Sequence, residues 1–177
     1  MADEDTVFVV EDDATTRDIL ETIVANEGFE VLTFADAASV RQALKERAPD
    51  IVCLDLGLPD EDGLSLLTYL HRVLAGLPII VITAQDDVSV VVEAMKLGAF
   101  DYIEKPPQPV RLRTALQSAV DHLELAATVR RLQRVHEHRF DGIVSASEQM
   151  EDLLSQIDRL AMSDVSTFIH GETGTGK

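Results

Sequence analysis

The sequence predicts an α/β fold built on a doubly wound, five-stranded parallel sheet. Short apolar runs alternate five times with stretches of helical periodicity between Thr6 and about Arg139. The runs in the middle of this region are continuously apolar, which is typical of strands covered by helices on both faces. Aromatic residues make up only 5% of the chain and tryptophan is absent, which favours an aliphatic α/β core over an aromatic β-sandwich. Five successive βα units predict the doubly wound sheet.

The individual elements follow from apolar runs and from the residues that bound them. The predicted strands are Thr6–Val10, 29–34, 51–56, 77–83 and 100–103. Asp36 is expected to cap one helix, Asp86 or Asp87 to open another, and Gly28 to close the first. The predicted helices are Ala14–Asn26, 36–47, 63–74, one from Asp86 or Asp87 to just before Gly98, and one that begins near Pro109. This (βα)5 order is that of the flavodoxin-like class of sheet.

The last helix meets no Gly or Pro before Gly142, so it is expected to extend well beyond the sheet. Its early apolar residues are spaced to pack on the sheet; they are Leu112, Leu116, Ala119 and Leu123. A second apolar stripe continues on a shifted face, at Leu125, Val129, Leu132 and His136. Such a stripe needs another partner, and a second copy of the helix is the simplest one. The alternative is a frayed, partly exposed helix.

The fourth helix contains three consecutive valines, Val90, Val91 and Val92, which cannot all face one core at a period of 3.6 residues. We expect either apolar surface left for a partner or a helix wedged between two layers.

Charge and composition exclude several functions. The net charge is −17, concentrated in the first 109 residues, so we expect no direct DNA binding by this chain. Cys53 is the only cysteine, which excludes an internal disulfide and fits a reducing cytoplasm. No apolar run reaches the roughly 18–20 residues of a membrane span, and the acidic start MADEDT does not resemble a signal peptide. We therefore expect a cytoplasmic location without membrane contact.

Polar side chains follow four predicted strands at their carboxyl ends, where doubly wound sheets gather functional groups. They are Glu11, Asp12, Asp13, Asp55, Thr83 and Lys105. Clustered carboxylates repel one another unless a cation joins them, and oxygen ligands of this kind suit Mg²⁺. A fixed lysine charge would favour an incoming phosphoryl group, and a threonine hydroxyl would hydrogen-bond its oxygen. The pattern predicts phosphoryl transfer to a carboxylate, with Asp55 in the middle strand as the acceptor.

Residues 5–120 resemble the receiver domains of bacterial two-component response regulators. The motifs VVEDD, DLGLPDEDG, VITA and EKP stand in the family's order and spacing. The resemblance implies that Asp55 is the phosphoacceptor, Thr83 the switch hydroxyl and Lys105 the lysine that pairs with the phosphate. It implies Mg²⁺ ligands at Glu11, Asp12, Asp55 and the backbone carbonyl of Gly57, with Asp12 as the direct ligand of the acidic pair.

The same resemblance covers three further positions. Tyr102 matches the aromatic residue that changes rotamer when the hydroxyl moves toward the phosphate; the alternative is an ordinary strand aromatic. Asp13 lies one position past the acidic pair and is expected to be a helix cap or a bystander. The Lys105–Pro106 bond resembles one that is cis in this family.

The segment GETGTGK fits the phosphate-loop template G-x-x-x-x-G-K and follows a predicted strand over 165–170. Its nucleotide-binding candidates are Gly171, Gly174, Gly176 and Lys177. Residues 143–177 resemble the opening of the AAA+ domain of NtrC-type, sigma-54-dependent transcription activators. The helix that should follow the loop is missing from the sequence, so we expect no ATP hydrolysis by this chain and ATP binding only in a full-length protein.

The predicted organisation is a receiver domain over 1–120, a helical linker over 121–140 that would form a dimerising coiled coil, and an AAA+ fragment over 141–177 that ends in the Walker A loop. The resemblance implies phosphorylation of Asp55 by a sensor histidine kinase, which would control a sigma-54-dependent activator. The expected homodimer uses the face of helix four, strand five and helix five together with the linker helix.

Two alternatives differ in class. An aspartate-nucleophile phosphatase of the haloacid-dehalogenase type also combines a strand-end Asp, Mg²⁺ and a lysine. It needs a second carboxylate two residues after the nucleophile, where this chain has Gly57. A stand-alone phosphorelay receiver without output is disfavoured by the long linker and the phosphate loop.

Overall fold

A computed structural model describes residues 5–84, 88–138 and Ile157. The chain divides into two compact units, Met1–Leu125 and Ala126–Lys177. The strands are β1 (Thr6–Val10), β2 (Glu30–Phe34), β3 (Ile51–Leu54), β4 (Ile79–Thr83) and β5 (Asp101–Glu104). The helices are α1 (Ala14–Asn26), α2 (Ala37–Ala43), α3 (Gly63–Val73), α4 (Val88–Lys96) and α5 (Pro109–His138).

The five strands form one parallel sheet in the order β2-β1-β3-β4-β5. The predicted doubly wound, five-stranded parallel sheet is therefore confirmed, with β3 in the middle. The chain runs outward from β1 to β2 on one side and from β3 to β5 on the other. The order reverses between β1 and β3, and in open α/β sheets such a reversal opens a crevice beyond the carboxyl ends of the strands.

Helices cover both faces of the sheet, because alternate strand residues point to opposite sides. On one face, Phe8, Val52 and Leu54 pack against buried residues of α2, α3 and α4. On the other face, Val9 and Cys53 pack against buried residues of α1 and α5. Burial raises the pKa of the Cys53 thiol to about 12. Cys53 is thus a core residue.

Several element boundaries differ from the prediction, among them those of α2, β3 and β5. Helix α2 ends at Ala43 rather than Arg47, because the amides of Lys45 and Glu46 bond to carbonyls only three residues back. Strand β3 ends at Leu54, two residues early, although the Asp55 amide still donates to the Val10 carbonyl at 2.9 Å. Strand β5 begins and ends one residue later than predicted.

The apolar stripes of α5 behave as predicted where side chains are described. Leu112, Leu116 and Ala119 are buried, and Leu123 packs against them. Leu125 and Val129, further along α5, are 65% and 44% exposed. The side chains of Leu132 and His136 lie outside the described residues.

Helix α4 also leaves apolar surface uncovered. Val90 packs against the core, while Val92 and Met95 are 44% and 45% exposed. The expectation that the three valines cannot share one core is therefore confirmed.

The described helices include none that is both long and apolar enough to cross a membrane. The predicted start of α4 at Asp86 or Asp87, and everything predicted for residues 141–177, fall outside the description apart from Ile157.

Candidate functional site

The carboxyl ends of four adjacent strands bring the predicted polar side chains together. Glu11 follows β1, Asp55 follows β3, Thr83 ends β4 and Lys105 follows β5. Glu11 is 0% exposed, Asp55 5% and Thr83 1%; among the described residues the fourth buried polar residue is Thr6, at the opposite end of β1. Burial of three polar groups at one sheet edge is costly without a compensating interaction, so this edge is the candidate site.

Lys105 provides the compensating charge. Its Nζ donates to Asp55 Oδ2 at 2.6 Å and to Glu11 Oε1 at 2.7 Å. Burial opposes the positive charge, but the hydrogen bonds to Asp55 and Glu11 and their negative charges outweigh it, so the pKa of Lys105 lies above its ordinary value. The Lys105 amide donates to the Thr83 carbonyl at 3.1 Å, which fixes the residue's backbone to β4. The Lys105–Pro106 peptide bond is cis, as the resemblance implied.

Glu11 is the most deeply buried acid of the site. Burial raises its pKa, and the hydrogen bond from Lys105 opposes that rise. Its Oε2 lies 2.6 Å from Lys105 Nζ as an ionic contact, without the alignment of a hydrogen bond, and has no hydrogen-bond partner. One carboxylate oxygen therefore remains buried with only part of its bonding capacity used.

The acidic cluster fits a divalent cation. Oxygen atoms of Glu11, Asp12 and Asp55 all lie within 4.8 Å of one another, and Asp12 is exposed to solvent. Three carboxylates carry more negative charge than one lysine neutralises, and hard cations such as Mg²⁺ prefer oxygen ligands while keeping several waters. Glu11 Oε2, which is buried and accepts no hydrogen bond, is the observation that most directly favours an additional cation.

The loop between β1 and α1 is fixed by its own polar groups. Asp13 caps α1, because its Oδ1 accepts from the Thr16 amide and hydroxyl, both at 2.8 Å. The cap role expected for Asp13 is confirmed. Arg17 extends back from the first turn of α1 and donates to the Glu11 carbonyl at 2.8 Å and to the Asp12 carbonyl at 3.2 Å.

The loop between β3 and α3 is attached to α2. The Gly57 amide donates to Asp55 Oδ1 at 3.1 Å, so Gly57 lies beside the predicted acceptor. The carboxylate of Asp60 accepts from the amides of Ala37 and Ala38, both at 3.0 Å, at the start of α2. These bonds hold the pKa of Asp60 below its ordinary value. Glu61 pairs with Arg41 of α2 at 2.7 Å.

Tyr102 lies in β5 and is half-buried against the core shared with α4. Its carbonyl accepts from Arg111, whose guanidinium also forms two hydrogen bonds with Asp101, at 2.8 and 2.6 Å. Tyr102, Lys105 and Arg111 line a groove of about 530 Å³ between β5 and the start of α5. The predicted switch residue is therefore next to a surface groove, three residues from the site lysine.

Neither Arg17 nor Asp60 was among the residues predicted from the sequence. A signal for Arg17 was present, because a cation in the first turn of a helix opposes the helix dipole. For Asp60 no local signal exists, since its partners are 22 and 23 residues away in the chain. The predicted nucleotide-binding residues Gly171, Gly174, Gly176 and Lys177 lie outside the described residues.

The fold and the clustered carboxylates with their lysine define a parallel α/β domain of the receiver class. The family model for the response regulator receiver domain matches residues 7–117, and the chain belongs to this family. A second model, the Sigma-54 interaction domain, matches residues 143–177.

Individual relatives agree with both matches. The DNA-binding transcriptional regulator NtrC of Escherichia coli K12 is 35% identical over 171 residues, which cover 97% of this chain and 36% of the relative. The crystal structure of NtrX from Brucella abortus is 33% identical, with a TM-score of 0.71 over 90% of this chain and 35% of that one. A CheY-like receiver from Methanospirillum hungatei JF-1 has a TM-score of 0.67 at 27% identity, over 70% of this chain and 99% of that one. The chain thus spans about a third of the length of its curated relatives.

Proposed function

We propose that Asp55 accepts a phosphoryl group from a sensor histidine kinase, and that this phosphorylation controls a sigma-54-dependent transcription activator. The observation that carries the proposal is the Lys105 ammonium held between Asp55 and Glu11 at the carboxyl edge of the sheet. A fixed cation beside a buried carboxylate is suited to receive a phosphoryl group, because its positive charge already compensates the negative charge that the phosphoryl group brings.

The transfer follows from the site's own groups. An Asp55 carboxylate oxygen attacks the phosphorus of a phosphohistidine, a P–O bond forms, the P–N bond breaks, and the histidine nitrogen leaves and takes up a proton. Lys105 then pairs with the new phosphoryl oxygens, and the Thr83 hydroxyl hydrogen-bonds to one of them. Glu11, Asp12, Asp55 and the Gly57 carbonyl would hold Mg²⁺, which would supply positive charge beside the phosphoryl oxygens. Gly57 offers no acid to activate water, so Asp55 holds the group rather than turning substrate over.

The signal is proposed to leave the site through Thr83 and Tyr102. Phosphorylation replaces the single negative charge of the Asp55 carboxylate with an acyl phosphate that carries up to about two, and it draws Thr83 and Lys105 inward. Tyr102 then changes its packing and alters the face of α4, β5 and α5. The exposed Val92, Met95 and Leu125 supply apolar surface for a homodimer in this region.

The transcriptional output is proposed to belong to the segment that matches the Sigma-54 interaction domain. The relative NtrC is a DNA-binding transcriptional regulator, and the Sigma-54 interaction domain starts at residue 143 of this chain. We propose that ATP binding at Gly171–Lys177 and its hydrolysis belong to that domain in the full-length protein. A cytoplasmic location completes the proposal and agrees with the free, buried Cys53.

The central experiment is labelling with a small phosphodonor and Mg²⁺, followed by a test for an acid-stable, base-labile acyl phosphate. We expect the parent chain to label and Asp55→Asn to lose at least about 90% of the label, because the amide is a far weaker nucleophile. Asp60→Asn is the matched control, since Asp60 belongs to the same loop but bonds to α2. Equal labelling of Asp55→Asn and the parent chain would refute the proposal.

A further inference from the structure

We infer that Arg17 is the positioning residue that sets the Asp12 carboxylate for cation binding. The inference rests on the proposed function, since it concerns the same site. Arg17 Nη1 donates to two successive carbonyls, Glu11 O at 2.8 Å and Asp12 O at 3.2 Å. These carbonyls belong to the two peptide groups on either side of the Asp12 Cα. One guanidinium therefore hydrogen-bonds to the peptide groups on both sides of the Cα that carries the Asp12 side chain.

Asp12 needs such support more than its neighbours do. Glu11 is fully buried and bonded to Lys105, and the Glu11 amide donates to the Phe34 carbonyl at 2.9 Å. Asp13 is fixed by its capping bonds to Thr16. The Asp12 side chain is exposed and yet belongs to the cluster of three carboxylates. Its direction is therefore governed by its backbone, which Arg17 anchors.

Arg17 is itself held on a rigid element. Its amide donates to the Asp13 carbonyl at 2.9 Å at the start of α1, and Leu20, three residues further along the helix, is 1% exposed in the core. Its side chain is half-buried and points back toward the helix N-terminus, as helical side chains do.

An arginine at this position does not serve helix stability. A cation in the first turn opposes the helix dipole. Residues that break a local rule are expected where function demands them. The two carbonyl bonds give the reason here, and outer residues that orient ligands strongly affect metal affinity.

The test compares Arg17→Ala and Arg17→Lys with the parent chain by calorimetric titration with Mg²⁺ alone, without phosphodonor. We expect Arg17→Ala to weaken Mg²⁺ binding about tenfold, with Arg17→Lys in between, since the shorter lysine side chain reaches the two carbonyls less well. Amide hydrogen exchange at residues 11–13 should also accelerate in metal-free Arg17→Ala. Arg113→Ala is the control, because it removes an arginine whose partner is Glu27 on the surface.

The outcomes separate this inference from the proposed function. If Arg17→Ala folds and binds Mg²⁺ as tightly as the parent and Arg113→Ala, the positioning role is refuted while the receiver proposal stands. If Arg17→Ala does not fold, an unchanged Mg²⁺ affinity of Arg17→Lys refutes it equally. A parent chain that binds Mg²⁺ but never labels on Asp55 overturns the proposed function, and the titrations still decide the role of Arg17. A parent that binds no Mg²⁺ overturns both.

Discussion

At the scale of single residues, Lys105 governs the electrostatics of the site. It carries one positive charge between two buried carboxylates, Glu11 and Asp55, at distances of 2.6–2.7 Å. Removing one partner of a buried ion pair is strongly destabilising, because the remaining charge stays out of water without compensation. Since the folded pKa of Lys105 lies above its ordinary value of 10.5, this stabilisation is fully present at pH 7 and is lost only as the pH rises through the folded pKa.

We predict that Lys105→Met lowers the free energy of unfolding by about 2 kcal/mol at pH 7, less than for a fully dry pair because the site opens to solvent at Asp12. The Glu11 pKa is already raised by burial and would rise further without the lysine. The loss should shrink as the pH falls and Glu11 takes up a proton, and also when Mg²⁺ replaces the missing cation. Urea denaturation of the parent chain and of Lys105→Met at several pH values, with and without Mg²⁺, measures the difference in unfolding free energy.

Lys45→Met is the control for Lys105→Met. Lys45 is exposed and bonds to Gln42 on the surface, so its loss should change stability by less than about 0.5 kcal/mol at every pH. If the free energy of unfolding lost in Lys105→Met is independent of both pH and Mg²⁺, the electrostatic explanation is contradicted.

At the scale of elements, the start of α3 is packed against the segment that carries the acceptor. A Cβ on Gly63 would lie 2.4 Å from the Cα of Leu56, the residue that follows Asp55. The Gly63 amide also donates to the Leu56 carbonyl at 3.2 Å. Backbone atoms meet here, so neither side can move away without displacing the other. The position of α3 is thereby linked to the position of Asp55.

We predict that Gly63→Ala destabilises the domain by about 1–3 kcal/mol, as overpacking does in close-packed regions. Replacing a glycine inside a helix by alanine usually stabilises the protein, since alanine favours helices over glycine by up to about 1 kcal/mol. The sign of the change in unfolding free energy therefore tests the contact. Ser65→Ala, at an exposed position of the same helix, should be close to neutral or stabilising. A Gly63→Ala variant more stable than its parent would show that the contact relaxes freely.

At the scale of the whole molecule, α5 combines two roles. Its first half completes one face of the core, with Leu112, Leu116 and Ala119 buried. Further along, Leu125 and Val129 stand four residues apart with 65% and 44% of their surface exposed. On a chain of net charge −17, association must overcome mutual repulsion, so an apolar contact between helices is the feature that would favour a dimer.

We predict that the parent chain dimerises at tens of micromolar when phosphorylated, and that Leu125→Glu combined with Val129→Glu abolishes the dimer. Buried like charges facing each other across two identical helices are unfavourable. Light scattering gives the mass with and without phosphodonor and Mg²⁺. Ser118→Glu, at an exposed position on the same helix, adds one negative charge outside the apolar stripe and should leave the mass unchanged. A monomeric parent in both states would refute the dimer.

Much of the site could be predicted from the sequence because its residues follow strands directly. Glu11, Asp55, Thr83 and Lys105 each stand at a strand end, and parallel strands present these ends at one edge. The caps at Asp13 and Asp36 are local as well, with partners three residues away. Element boundaries were less predictable, as at α2, where the last turn tightens after Ala43.

The parallel α/β class and the cluster of polar residues at the strand ends could thus be predicted from the sequence alone, since alternation of apolar runs and polar strand ends is a local pattern. Tertiary structure decided how charge is shared within that cluster. Lys105 bonds to Glu11, 94 residues away, and Asp60 reaches the start of α2 across 23 residues. Such contacts depend on which side chains the folded backbone brings within about 3 Å, and no sequence spacing encodes that distance. Only the tertiary structure shows that Glu11 Oε2 is buried without a hydrogen bond. It alone also shows that Arg17 donates to the carbonyls of Glu11 and Asp12.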